Sequence, residues 1–129
     1  MQTIAVLLTV FNRKDKTLKC LQHLFNQLPI EGYSIDVYLT DDGCTDGTPE
    51  AVKEQYPQVN IIHGDGNLFW NRGMYTAWEK AAQKGYDFYL WLNDDTILLP
   101  DALSKLLISS NNKKNQAIIV AAKLEIGRA

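Results

Sequence analysis

The stretch TIAVLLTVF, Thr3 to Phe11, decides the fold. Nine residues pass without a charge, and β-branched side chains are spread among them. A strand with one wet face alternates apolar and polar side chains, whereas an unbroken apolar run marks a strand covered on both faces. Such a strand belongs in a parallel sheet with helices packed above and below it. The rest of the chain should therefore alternate strands and helices.

It does. Leu18, Leu21, Phe25 and Leu28 recur at helical spacing, which predicts an amphipathic helix over about Lys14 to Gln27, ending before Pro29. SIDVYLT (Ser34 to Thr40) reads as the second strand. DGTPEAVKEQY then reads as a turn into a helix, with Thr48 at the N-cap and Pro49 at the first helical position. VNIIH (Val59 to His63) is the third strand. A helix over about Asn71 to Lys84 carries Met74, Ala77, Trp78 and Ala81 on one face and stops at Gly85. DFYLWL (Asp87 to Leu92) is the fourth strand, Pro100 opens a helix with Leu103, Leu106 and Leu107 inward, and AIIVAA (Ala117 to Ala122) is a fifth strand. The expected fold is α/β, one domain with a mostly parallel sheet flanked by helices on both faces.

Bulk properties narrow the function. The 129 residues are 46% hydrophobic and 22% charged, the balance of a globular domain. A net charge of -2 gives no electrostatic footprint for nucleic acid or for acidic membranes. Cys20 and Cys44 have neither metal-binding nor disulfide spacing and suit a reducing compartment. The first apolar run is too short to span a bilayer and lacks a basic lead, so a cytoplasmic setting is expected, with peripheral membrane association open through other parts of a larger enzyme.

In parallel α/β sheets, ligands bind beyond the carboxyl ends of the strands. The polar stretches of this chain sit there. NR follows strand one, DDGCTDGT strand two, GDGN strand three and NDDT strand four. Asp41 and Asp42 stand at a strand end, where a carboxylate can accept a nucleobase imide or ribose hydroxyls; Asp46-Gly47 reads as turn chemistry. Asp94 and Asp95 beside the amide of Asn93 suit a hard divalent cation, although such a pair on its own is more often an exposed turn, with Asp101 or Thr96 helping to cap the next helix. In the Gly64 to Trp78 stretch, glycines allow close backbone approach, Arg72 can pair with phosphate and Trp70 offers a stacking face. Trp78 reads as core, and His63 as a structural residue without an evident partner. The Gly-x-Gly-x-x-Gly of a dinucleotide fold and the P-loop are both missing after strand one. A receiver-type phosphoacceptor would need acids where Asn12 and Arg13 stand.

Taken together, TVFNR, DDGCTDGT, GNLFWNRG and LNDDT, in this order, resemble the family 2 glycosyltransferases, inverting enzymes of the GT-A (Rossmann-like) fold that use nucleotide sugars. The resemblance runs from about Thr3 to Pro100, and NLFWNRGM is similar to the rhamnosyltransferase-like members that build bacterial surface polysaccharides. It implies that Thr9 and Phe11 line the base pocket and that Asp42 bonds the pyrimidine with Asp41 beside it. Gly66, Asn67 and Arg72 would close over the nucleotide. Asn93, Asp94 and Asp95 take the position of the DxD motif, with Asn93 in place of its first acid. Asp95 would then be the direct ligand of Mn²⁺ or Mg²⁺, with Asp94 beside it near the ribose or donor sugar. The implied reaction moves a sugar from a UDP- or dTDP-sugar to a hydroxyl of a glycan or lipid-linked acceptor. The family's catalytic base lies beyond the DxD stretch, and no residue here matches it. The expectation is a donor-binding half, residues 1–129, without its acceptor half and inactive alone. A surface normally covered by the missing half would favour self-association. Two other readings stay open: a module that binds a nucleotide without transferring anything, and a nucleotidyltransferase-like enzyme.

Overall fold

The computed structural model describes residues 1–113, with side chains through 108. The fifth strand expected at Ala117 to Ala122 lies outside the described residues. The decisive apolar run forms β1 (Gln2–Val10), followed by α1 (Lys14–Phe25), β2 (Tyr33–Asp41) and α2 (Thr48–Gln55). Then come β3 (Asn60–His63), α3 (Phe69–Lys84), β4 (Phe88–Trp91) and α4 (Ala102–Lys113). The four strands form one parallel sheet in the order β3-β2-β1-β4.

Because side chains alternate across a strand, β1 feeds two cores. Ile4, Val6, Leu8 and Val10 pack with Cys20, Leu21 and Leu24 of α1, Val52 of α2 and Leu103 and Leu107 of α4. Ala5 and Leu7 point the other way, into Met74, Ala77 and Ala81 of α3. That is why no position from Ile4 to Leu8 is polar. Each fully buried Leu or Val contributes roughly 1.5–3 kcal/mol, so burial on both faces of this strand stabilises the fold strongly.

Two local readings are corrected. Trp78 is 40% exposed and not core; it meets Tyr75 and Tyr89 edge-on at the surface. The face of α3 against the sheet is Gly73, Met74, Ala77 and Ala81, and Trp78 falls at the edge of that face. A Cβ on Gly73 would lie 2.4 Å from Thr9 Cγ2, and Thr40 Oγ1 donates to the Gly73 carbonyl at 2.9 Å. The N-cap of α2 is Gly47 rather than Thr48, and the Asp46 carboxylate takes the capping role by accepting from Thr48 N and Oγ1.

The strand order reverses at β1. The chain steps from β1 through β2 to β3 on one side, then crosses by α3 to β4 on the other. The α1 and α3 helices pack on opposite faces, so the loops after β1 and β3 part there, leaving a crevice at the carboxyl edge that the loop after β4 closes.

Candidate functional site

A cavity of about 490 Å³ occupies this crevice. Its floor is Thr9 and Val10 at the end of β1, and one wall is Asn93, Asp94 and Asp95 after β4. Phe11, Arg13, Asp42, Gly66, Phe69 and Trp70 complete it. A larger groove of about 820 Å³ runs along the open edge of β3, beneath Lys53, Lys80 and Lys84. It lies at the far edge of the sheet, without converging carboxylates, and the chemistry belongs to the smaller cavity.

Thr9 is the first polar side chain after the apolar run, and its Oγ1 is buried without a hydrogen-bond partner. A buried hydroxyl left unpaired is costly, and this one lies against Gly73 of α3 while the residue itself lines the cavity. Phe11 is 55% exposed and Trp70 44%, with Trp70 held edge-on by Trp91. These are flat apolar surfaces at the rim of a polar floor.

The acid pair is not left to repel. Arg13 Nη1 lies 3.4 Å from Asp94 Oδ1 and 3.4 Å from Asp95 Oδ2, so one guanidinium bridges both carboxylates. The turn before it is built to hold it there. Asn12 adopts a left-handed backbone (φ 50), and its Oδ1 accepts from Thr45 N at 2.7 Å. Asp46 Oδ2 accepts from Lys14 N at 3.1 Å, tying the start of α1 to the loop after β2. Asp94 is buried and Asp95 about half-exposed. Burial pushes the Asp94 carboxyl up to about 6, while Arg13 pulls it down and Asp95 pushes it up. Sequence reasoning assigned Arg13 no role. The available signal was its place on the same rim, directly after strand one.

Asp42 lines the cavity, but its carboxylate faces the protein. It accepts from Gly66 N at 2.9 Å, from Leu68 N at 3.1 Å and from Phe69 N at 2.9 Å. Leu68 N reaches both oxygens, so the acceptor positions of the carboxylate are taken. A nucleobase imide could bond here only by displacing this loop. Asp41 stands apart from the cavity. Its Oδ1 accepts from Cys44 N at 2.9 Å and its Oδ2 pairs with His63 Nδ1 at 2.9 Å, which gives His63 the partner the sequence did not reveal. Burial raises the Asp41 carboxyl, but the Cys44 and His63 bonds outweigh it and hold the group below the usual carboxylate range. Gly66 reaches the cavity; Asn67 and Arg72 are exposed and do not line it.

Burial pushes both thiols up to about 12, which leaves neither as a nucleophile. Among the described residues no three His, Cys, Asp or Glu side chains gather into a metal cage, and no helix is long and apolar enough to cross a membrane. Two hard carboxylate oxygens that meet on one cation do suit a divalent ion sharing its coordination with a diphosphate.

Comparison with known proteins bears on the family and the fold. The chain is 32% identical over 81 residues to an N-acetylglucosaminyl-diphospho-decaprenol L-rhamnosyltransferase of Mycobacterium tuberculosis. That match covers 57% of this chain and 26% of the relative, so the chain spans only part of the relative's length. Among solved structures, S. aureus TarS 1-349 in complex with UDP-GlcNAc superposes with a TM-score of 0.72 at 18% identity, covering 85% of this chain and 31% of that one. The mannosyltransferase PcManGT from Pyrobaculum calidifontis, in complex with GDP-Man and Mn²⁺, gives 0.60 at 20% identity, covering 81% and 31%. At these identities the likeness shows the fold, which is GT-A. The family model for Glycosyl transferase family 2 matches residues 5–125, nearly the whole chain, and the chain belongs to that family.

Proposed function

We propose that this chain binds a nucleoside diphosphate sugar in the crevice between β1 and β4 and serves its transfer, with inversion, to an acceptor hydroxyl. The observation that carries the reading is the meeting in one cavity, floored by Thr9, of the flat rings of Phe11 and Trp70 with the Asp94-Asp95 pair. Thr9 and Phe11 would hold the nucleoside. Asn93 and Asp94 would face the ribose or donor sugar. Asp95, with Asp94 beside it, would hold Mn²⁺ or Mg²⁺, which when bound supplies positive charge to the departing diphosphate.

The matched relative is by name a rhamnosyltransferase of a diphospho-decaprenol-linked N-acetylglucosamine, which supports a glycan or lipid-linked acceptor. The donor on this reading is a UDP- or dTDP-sugar, and the setting is cytoplasmic assembly of a cell-surface polysaccharide. We assign no residue of this chain as the base that deprotonates the acceptor.

The test is calorimetric titration with UDP, dTDP, GDP and CDP, each with and without Mn²⁺. A pyrimidine diphosphate should bind only with the metal, and Asp95→Ala should weaken it about tenfold or more, the loss of roughly 1.4 kcal/mol. Equal binding by wild type and Asp95→Ala would remove the metal assignment.

A further inference from the structure

We propose that Arg13 is an internal counter-cation, held between Asp94 and Asp95 until a divalent ion and a diphosphate arrive together, and then released to the diphosphate. The inference rests on the reading of the acid pair as a metal–diphosphate site.

Three observations carry it. First, the same nitrogen, Nη1, contacts both carboxylates, so the guanidinium sits where a shared cation would have to sit. Second, both contacts are 3.4 Å, well beyond the roughly 2.8 Å of a tight charge-assisted bond, and the Arg13 side chain is half-exposed. The pairing is strong enough to relieve repulsion and weak enough to be displaced. Third, Arg13 lines the same cavity as the acids while its backbone is fixed, with its carbonyl accepting from Thr17 N at 2.8 Å. Only the side chain has to move, and it moves within reach of whatever fills the cavity.

The consequence is coupled binding. A metal arriving alone must displace Arg13 and leave the guanidinium without a partner. A metal arriving with a diphosphate gives Arg13 a new anion. Arg13 is thus a positioning residue that makes the site selective for the metal–diphosphate pair over free metal.

The experiment measures Mn²⁺ uptake by the full chain from the loss of the free-ion spin-resonance signal, with Mn²⁺ alone and with Mn²⁺ plus UDP. Arg13→Gln should bind Mn²⁺ alone about tenfold more tightly than wild type, the scale of losing two partly exposed ion pairs. With UDP present that advantage should vanish or reverse, because coupling between two ligands is reciprocal. Lys16→Gln removes the same charge from the exposed flank of α1 and should change uptake less than twofold. A thermal melt confirms that each variant is folded. If Arg13→Gln binds Mn²⁺ alone no more tightly than wild type, or if Lys16→Gln matches it, the counter-cation role is wrong although UDP-dependent uptake survives. No uptake by wild type even with UDP, or uptake unaffected by Asp95→Ala, overturns the metal–diphosphate reading and this inference together.

Discussion

Replacing Asp42 tests whether this carboxylate holds the protein or the ligand. It is 3% exposed, and three backbone N–H groups of the loop before α3 and of its first residue converge on it. One of them belongs to Phe69, whose φ of 56 is a left-handed conformation that a bulky residue rarely adopts. Holding such a residue costs on the order of 1–3 kcal/mol, so something must fix it. Hydrogen bonds to a charged acceptor contribute about 1.5–3 kcal/mol each where solvent is excluded. Here the loop is partly exposed, and water replaces much of what is lost. The net expectation for Asp42→Ala is a destabilisation of about 3 kcal/mol, and for Asp42→Asn about 2 kcal/mol, since one acceptor oxygen remains.

Urea unfolding reads the first quantity as a lower midpoint at constant slope. Amide hydrogen exchange reads the second, as faster exchange at Gly66, Leu68 and Phe69 than at β1 amides. A nucleotide titration then separates the two roles. If both variants keep wild-type stability and amide protection but lose pyrimidine diphosphate binding, Asp42 is a base contact and the clamp argument fails. If stability, protection and affinity fall together, the carboxylate acts on the nucleotide by holding the loop that carries Phe69 and Trp70.

Two further outcomes follow from the same rim. Gly73→Ala should destabilise by about 1–3 kcal/mol in thermal unfolding, because the new methyl would meet Thr9 and push α3 off the sheet; an unchanged melting temperature would mean the helix shifts without cost. The Asp41 carboxyl is held below its usual range, so its stabilising contribution is complete above the unfolded value near 3.8 and is lost as pH falls through the lower folded value. Acid titration of stability should therefore be shallower in Asp41→Asn than in wild type below about pH 4, and parallel curves would deny the bond its role.

The fold was legible because its signal is local. Two-sided burial of β1 requires an apolar residue at nearly every position, and that pattern is written within nine residues of sequence. The convergence of the polar stretches on one rim was legible too, since topology alone sends the loops of parallel strands to the same edge. Partnerships across that rim were not. Asp41 and Asp42 are neighbours in sequence, yet one turns to His63 and Cys44 and the other to the loop N–H groups. Which way each carboxylate faces depends on the exact exit of β2 beside β3, set by the pairing of Asp41 with His63. Trp78 was misread for a related reason. Helical periodicity gives the buried face of α3 only to within a residue, and how the helix is turned on the sheet, with Gly73 set against Thr9, leaves Trp78 at its edge.

Arg13 shows what such cross-rim pairing does to the site. Two adjacent carboxylates at a strand end raise an electrostatic problem, and an absent cation is the obvious answer from sequence. The structure solves it from within, by a guanidinium fixed through the Asn12 turn and drawn from the neighbouring strand's loop. With that guanidinium between them the acids have no electrostatic reason to splay apart, and Asp94 stays buried. The site is preorganised by a cation that the polypeptide itself supplies. On the proposed counter-cation role, affinity for a free metal would be lower than without Arg13, and affinity for metal and diphosphate together would be higher. Selectivity of this kind comes from the stability of the unliganded state as much as from contacts in the complex.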